Sequence, residues 1–206
     1  MKLPGARIGL AGYMGAGKST CARIFASRGF QVIDADSEAK RLMDSSDEIR
    51  EQVSARFGGD VLRDGKIDFV RLGAEAFGSM EALRELNAIV HPPLLDHLDG
   101  LVREEGSSAF VLDASLLPLW KKRPWVDVAL WVCAEREVRL RRLVAMKGVD
   151  EAQTQHRMDL QEQLFAPPVD PPWRWLENSG SMEELRSQLA PYLSDHSARE
   201  KNTGVN

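Results

Sequence analysis

Near the start of the chain, Gly12-Tyr13-Met14-Gly15-Ala16-Gly17-Lys18-Ser19 fits G-x-x-x-x-G-K-[ST] without mismatch, and Thr20 follows. Glycines at those positions let the backbone curl until several N–H groups point inward at one anion. A helix opening near Lys18 adds the positive end of its dipole. Lys18 is spaced to reach the β- and γ-phosphates of a nucleoside triphosphate, and the Ser19 hydroxyl suits Mg²⁺. With glycine near ~7% of average composition, a chance match in a chain of this length is rarer than about one in fifty. The pattern predicts nucleotide binding and leaves the reaction open.

Carboxylates supply the next candidates. Asp34 and Asp36 follow the apolar run Phe30-Gln31-Val32-Ile33, and in open α/β sheets ligands bind beyond the carboxyl ends of the strands. A carboxylate there can orient an attacking hydroxyl and accept its proton. The competing role is helix capping, which Asx residues favour. We assign Asp34 to the cap and Asp36 to the chemistry, against the alternative that Asp36 caps a helix at Ser37. Asp113 closes the run Ala109-Phe110-Val111-Leu112. It suits either a metal-holding strand-end acid or a turn residue.

The elements around these residues alternate. Ile8, Leu10 and Ala11 form a short strand before the glycine turn. Cys21, Ile24 and Phe25 recur at helical spacing after it, and Gly29 stops that helix. With the strand at 30–33 this makes a βαβ unit. Residues 37–104 read as mostly helical, with helices over Glu48–Phe57, Phe69–Phe77, Met80–Val90 and Leu94–Glu104. Gly58-Gly59 and Asp64-Gly65 mark turns. Val126–Val132 reads as a further buried parallel strand. Glu135–Met146 is a basic helix carrying Arg136, Arg139, Arg141 and Arg142, and Asp150–Phe165 a second helix. Trp173–Glu177 predicts a last strand, and Ser181-Met182-Glu183-Glu184 a capping box opening a final helix.

Several segments together resemble the dephospho-CoA kinase family. They are the glycine loop, Val32-Ile33-Asp34-Ala35-Asp36, Phe57-Gly58 with Asp64-Gly65-Lys66-Ile67-Asp68, and Leu86-Asn87-Ala88-Ile89-Val90-His91-Pro92. Val111-Leu112-Asp113-Ala114-Ser115-Leu116-Leu117, Arg157-Met158-Asp159-Leu160-Gln161 and Asn178-Ser179-Gly180-Ser181 complete the set. Order and spacing hold from about residue 7 to 190.

The resemblance implies an α/β three-layer P-loop fold with a parallel sheet, a helical substrate-binding insertion and a helical lid. It implies one kinase domain over 1–193. The core is about 5–36, 108–134 and 172–193, the insertion about 37–107, the lid about 135–165, and the tail 194–206 disordered. It implies ATP and Mg²⁺ as cofactors and phosphorylation of the 3′-hydroxyl of the dephospho-CoA ribose. By match to the family's motifs, Asp36, Lys18 and Arg142 are catalytic, and Gly15, Ala16, Gly17, Lys18, Ser19 and Thr20 bind ATP. Asp36, Asn87 and His91 bind substrate, and Ser19 and Asp113 hold the metal. His91 before Pro92 also reads as a structural hydrogen-bonder.

Departures from the family are Met146 where a lid arginine is usual, Ser115 and Leu119 in the Pro-Leu-Leu-x-Glu stretch, and Phe69 where arginine is common. Arg139 lies one helical turn before Arg142, so either can replace the missing lid charge, unless the basic helix is a solvated surface. The glycine loop alone looks more like a shikimate kinase, which is the alternative enzyme. A nucleotide-binding protein of weakened catalysis is the alternative outside that class.

Composition bounds the rest. The 206 residues carry a net charge of −4, with 43% hydrophobic and 28% charged residues, and a pI of about 5.7. That balance disfavours nucleic acid as the main partner. Cys21 and Cys133 stand far apart and predict no disulfide framework but two buried thiols in a reducing compartment. No apolar run reaches the ~18 residues of a membrane span. The reading is a soluble cytoplasmic protein, a monomer in preference to an oligomer. Its five tryptophans serve mainly as packing, with Trp173 or Trp175 as possible flanks for an adenine.

Overall fold

The computed structural model describes residues 6–106, 108–120, 125–145, 150–169 and 173–193. Met146, the Pro171-Pro172 break and the tail from 194 lie outside them. In chain order the elements are β1 (Ile8–Ala11), α1 (Lys18–Ala26), β2 (Gln31–Asp34), α2 (Ala35–Ser45), α3 (Asp47–Phe57), β3 (Leu62–Arg63), β4 (Lys66–Ile67), α4 (Phe69–Ala76), α5 (Met80–Glu105), β5 (Phe110–Asp113), β6 (Val128–Cys133), α6 (Arg136–Val144), α7 (Glu151–Leu164), β7 (Trp173–Glu177) and α8 (Met182–Leu189).

The chain divides into two compact units, one up to Ile33 and from Glu105 onward, the other Asp34–Glu104. The first is built on a five-stranded sheet of order β2-β5-β1-β6-β7. β1 runs parallel to both β5 and β6, and β6 parallel to β7. β1 is wholly buried, as a central parallel strand must be. From β1 the chain passes to β2 on one side, and from β5 it crosses to β6 on the other, so the carboxyl ends of β5 and β1 flank a topological switch point, the place where such sheets bind ligands. The glycine loop leaves from there.

One face of this sheet packs on α1 and α8. Ile8, Leu10, Val111, Leu130, Val132 and Leu176 meet Cys21, Phe25, Leu185 and Leu189 there. Alternation along β6 sends Trp131 to the opposite face. Its ring meets Tyr13 edge-on at 5.1 Å and Trp173 at 6.4 Å. Trp125 and Trp131 are buried, whereas Trp175 is 51% exposed and donates from Nε1 to Pro168 O at 3.0 Å. The capping box at Ser181 and Glu184 forms as the sequence predicts.

The second unit has its own core, with Met43, Ile49, Val53, Val61, Ile67, Leu72 and Val90 buried together. Two features differ from the sequence reading. Asp64-Gly65 closes a two-residue β-hairpin that pairs Arg63 with Lys66; both turn residues have positive φ, 53° and 75°, as a hairpin of this length requires. And the two helices expected on either side of Pro92-Pro93 are one helix, Met80–Glu105. Interior proline costs about 3 kcal/mol. Here Leu83, Val90, Leu94, Leu98 and Val102 are all buried on one stripe, and that continuous apolar face holds the helix through both prolines.

Candidate active site

The glycine loop takes the shape its residue types predict. Gly12, Gly15 and Gly17 have φ of 151°, 76° and 101°. A side chain on Gly12 would set its Cβ 2.3 Å from Val132 O, and one on Gly17 would lie 2.1 Å from the Asn178 amide nitrogen. Glycine is therefore demanded twice at each position, by backbone conformation and by space. Lys18 opens α1, and the first i→i−4 bond is that of Cys21 to Gly17 O. The Lys18 and Ser19 amides thus precede the helical ladder, as anion binding at a helix start needs.

Four consecutive loop residues are tied to the later part of the chain. Tyr13 Oη donates to Phe165 O at 2.8 Å, and Met14 N–H to Gln161 Oε1 at 2.7 Å. Arg142 donates from Nη1 to Gly15 O at 3.4 Å and from Nη2 to Asn178 O at 2.7 Å. The buried Asn178 donates from Nδ2 to Ala16 O at 2.6 Å. Burial pushes the Tyr13 hydroxyl pKa up, with the Glu162 carboxylate adding to the rise against Arg139.

Arg139 is not the solvated or phosphate-facing residue that the sequence allowed. It is 5% exposed, donates from Nε to Ala134 O at 3.2 Å, and pairs through Nη2 with Glu162. Its guanidinium stands 5.2 Å from the Tyr13 ring centre, a cation–π distance. This guanidinium braces the loop from behind, while the half-buried Arg142 touches its rim.

Asp113 ends β5 in register with Leu10 of β1. Burial pushes the Cys21 thiol up to about 12, with the Asp113 carboxylate reinforcing the rise and the Lys18 ammonium opposing it. Asp113 thus stands at the strand end next to the one from which the glycine loop leaves. Ser19 is exposed at the second position of α1. A hydroxyl and a carboxylate are hard oxygen donors of the kind Mg²⁺ takes. Cys133 is only partly buried, contrary to expectation. Its Sγ bonds to Leu176 O and Glu177 Oε2, both at 3.3 Å.

In the second unit, Asp34 caps α2. Its Oδ1 accepts from the Asp36 and Ser37 amides at 3.0 and 3.2 Å. Asp36 is the second residue of α2 and is exposed, so the alternative in which Asp36 caps a helix at Ser37 does not hold. Asn87 and His91 lie four residues apart on α5, on one face. Burial pushes the His91 imidazole below its ordinary value. Burial thus favours the neutral imidazole.

The sequence offered no direct reading for Tyr13, Gln161, Glu162 and the Asn178 side chain as braces of the loop. Tyr13, Gln161 and Asn178 stood out only as parts of motifs, and Glu162 not at all. Replacing Asn178 by alanine leaves Ala16 O without its donor and is expected to lower stability by about 1–3 kcal/mol. The KM for ATP should rise as the loop loosens. Thermal melting and steady-state kinetics on the same preparation check both.

Comparisons with known proteins agree with this architecture. The family model described as dephospho-CoA kinase matches residues 6–184. A dephospho-CoA kinase of Geobacillus kaustophilus is 36% identical over 199 residues, covering 94% of this chain and 98% of that protein. One of Corynebacterium diphtheriae is 37% identical, covering 86% and 90%. Among solved structures, TT1252 from Thermus thermophilus superposes with a TM-score of 0.65 at 29% identity, over 92% of this chain and 96% of that one. A dephospho-CoA kinase from Campylobacter jejuni shares the fold, with a TM-score of 0.56 at 19% identity over 90% and 94%.

Proposed function

As the chain belongs to the dephospho-CoA kinase family, we propose that it transfers the γ-phosphate of ATP to the 3′-hydroxyl of the dephospho-CoA ribose, giving coenzyme A. The observation that carries this reading is the glycine loop at the switch point of the sheet, with Lys18 opening α1 behind it. Family membership favours it over the shikimate-kinase-like alternative, which rested on the glycine loop and the Asp-x-Asp at Asp34 and Asp36.

Phosphoryl transfer needs little covalent help from a protein, so rate comes from positioning and charge. Gly15 to Thr20 are assigned to the ATP phosphates, with amides and the Lys18 ammonium opposing their charge. Arg142 is assigned to the charge of the transferring group. It keeps donors beyond the two it spends on Gly15 O and Asn178 O. Asp36 is assigned to the acceptor hydroxyl, aligning it and accepting its proton. Asn87 and His91 are assigned to the acceptor's binding. Ser19 and Asp113 would hold Mg²⁺, which when bound neutralises part of the triphosphate charge.

The partner is a small molecule rather than nucleic acid or a membrane. The reaction is assigned to a monomer in the cytoplasm, in keeping with two free cysteines. No helix among the described residues is long and apolar enough to cross a membrane.

Mass spectrometry of products from ATP and dephospho-CoA, with shikimate and a nucleoside monophosphate as competing acceptors, tests the assignment. The expected product is dephospho-CoA phosphorylated at the ribose 3′-oxygen. Phosphorylation of another acceptor alone would refute the reading.

A further inference from the structure

Along α2, below the proposed catalytic acid, lies a cavity of about 440 Å³ lined by Ser37, Lys40, Arg41, Asp44, Ser45 and Lys66. Its walls come from the helix and from the β3–β4 hairpin. Asp44 joins the two, since its Oδ1 accepts from the Ile67 amide at 3.3 Å. That bond sets Lys66, the preceding residue, against the helix face that carries Lys40.

The charges there are unequal in their commitments. Arg41 is paired with Glu38 at 3.0 Å, and Glu38 also meets His97 at 2.9 Å. Across the hairpin Arg63 is paired with Asp68 at 3.0 Å. Lys40 and Lys66 form no ion pair among the described residues. The Lys40 ammonium lies 5.8 Å from the Phe69 ring centre. With Arg41 paired, the two ammonium groups outnumber the one carboxylate of the lining and leave it net positive. The only carboxylate in the lining, that of Asp44, is engaged with the hairpin amide. A net positive lining of this kind is stabilised by a bound anion.

Position says which anion. Lys40 is four residues after Asp36 on the same helix, a rise of about 6 Å. In an adenosine 5′-diphosphate ester, one furanose ring separates the 3′-hydroxyl from the first 5′-phosphate. A ribose whose 3′-oxygen meets Asp36 therefore carries its diphosphate about one helical turn along, at Lys40 and Lys66.

We propose that this cavity binds the diphosphate of the acceptor, with Lys40 and Lys66 as its charge partners and Ser37 as a nearby hydroxyl. The proposal rests on the acceptor assigned above. It makes the two lysines determinants of specificity for a diphosphate-bearing nucleoside over a bare one.

Calorimetric titration of dephospho-CoA into the wild type and into the K40Q/K66Q double variant tests it, with ATP and adenosine as separate ligands. Both lysines are exposed, so the variant should melt within a few degrees of the wild type. The expected result is a loss of dephospho-CoA affinity of about tenfold or more. ATP affinity should stay within about twofold, adenosine affinity should not change, and the difference between wild type and variant should shrink as salt rises. Unchanged dephospho-CoA affinity in the variant overturns the proposal. So does an equal loss for ATP, which would give the lysines to the phosphate donor. Product analysis of the wild type is read separately. Binding that depends on the lysines, without 3′-phosphorylation, overturns the kinase reading and leaves the cavity assigned. Turnover with an unaffected variant overturns the cavity alone.

Discussion

Lys18→Ala is expected to cut kcat/KM for dephospho-CoA phosphorylation by about 10³-fold, or ~4 kcal/mol of transition-state stabilisation. The ammonium opposes charge that grows on the transferring group, in a loop whose amides are already fixed. Tyr13 to Ala16 are each held by a bond to Phe165, Gln161, Arg142 or Asn178. A fixed loop cannot reorganise to replace the missing charge, so the loss should fall mainly on kcat. Lys18 makes no hydrogen bond or ion pair that holds the fold among the described residues, and the variant should melt close to the wild type. Stopped-flow or coupled assays at saturating ATP, beside a melting curve, check both halves. A loss under tenfold would mean that another cation carries the role assigned to Lys18.

The second large effect is at Asp36. Asp36→Asn is expected to lower kcat by about 10²–10⁴-fold, the range for removing a positioned general base. The KM for dephospho-CoA should change far less, since asparagine keeps the shape and one acceptor oxygen. The control is two residues away. Asp34 bonds the Asp36 and Ser37 amides and the Ser37 hydroxyl, which is cap work. Asp34→Asn keeps the cap and should leave turnover near that of the wild type. Asp34→Ala should cost about 0.5–2 kcal/mol of stability. Equal loss of turnover at both positions would assign the effect of Asp36 to the helix start and not to the acceptor.

The departures from the family divide by what surrounds them. Phe69 replaces a usual arginine, yet its ring lies beside Lys40, so positive charge remains next to that position. Leu119 replaces a usual glutamate and stands 40% exposed at the end of a 3-10 turn, where a leucine forms no polar link. Arg142 remains at the loop, whereas Arg139 is committed to Glu162 and the Tyr13 ring. Of the two arginines on that face, only Arg142 keeps the exposure that meeting a nucleotide requires.

Local rules suffice for much of this protein. The glycine loop, the Asp34 cap, the Ser181 capping box and the short buried strands follow from residue types at fixed offsets. Their physics involves neighbours within a turn or two, and a chain read in order contains those neighbours. Tertiary structure decided what depends on distant partners. It joined two expected helices into α5, because one apolar stripe outweighs two prolines. It sent Arg139 inward to Glu162, brought Gln161 to Met14, and set Lys66 beside α2 through Asp44. Each of these contacts spans more than twenty residues or depends on which face of a helix is covered. Side-chain identity alone carries no information on either.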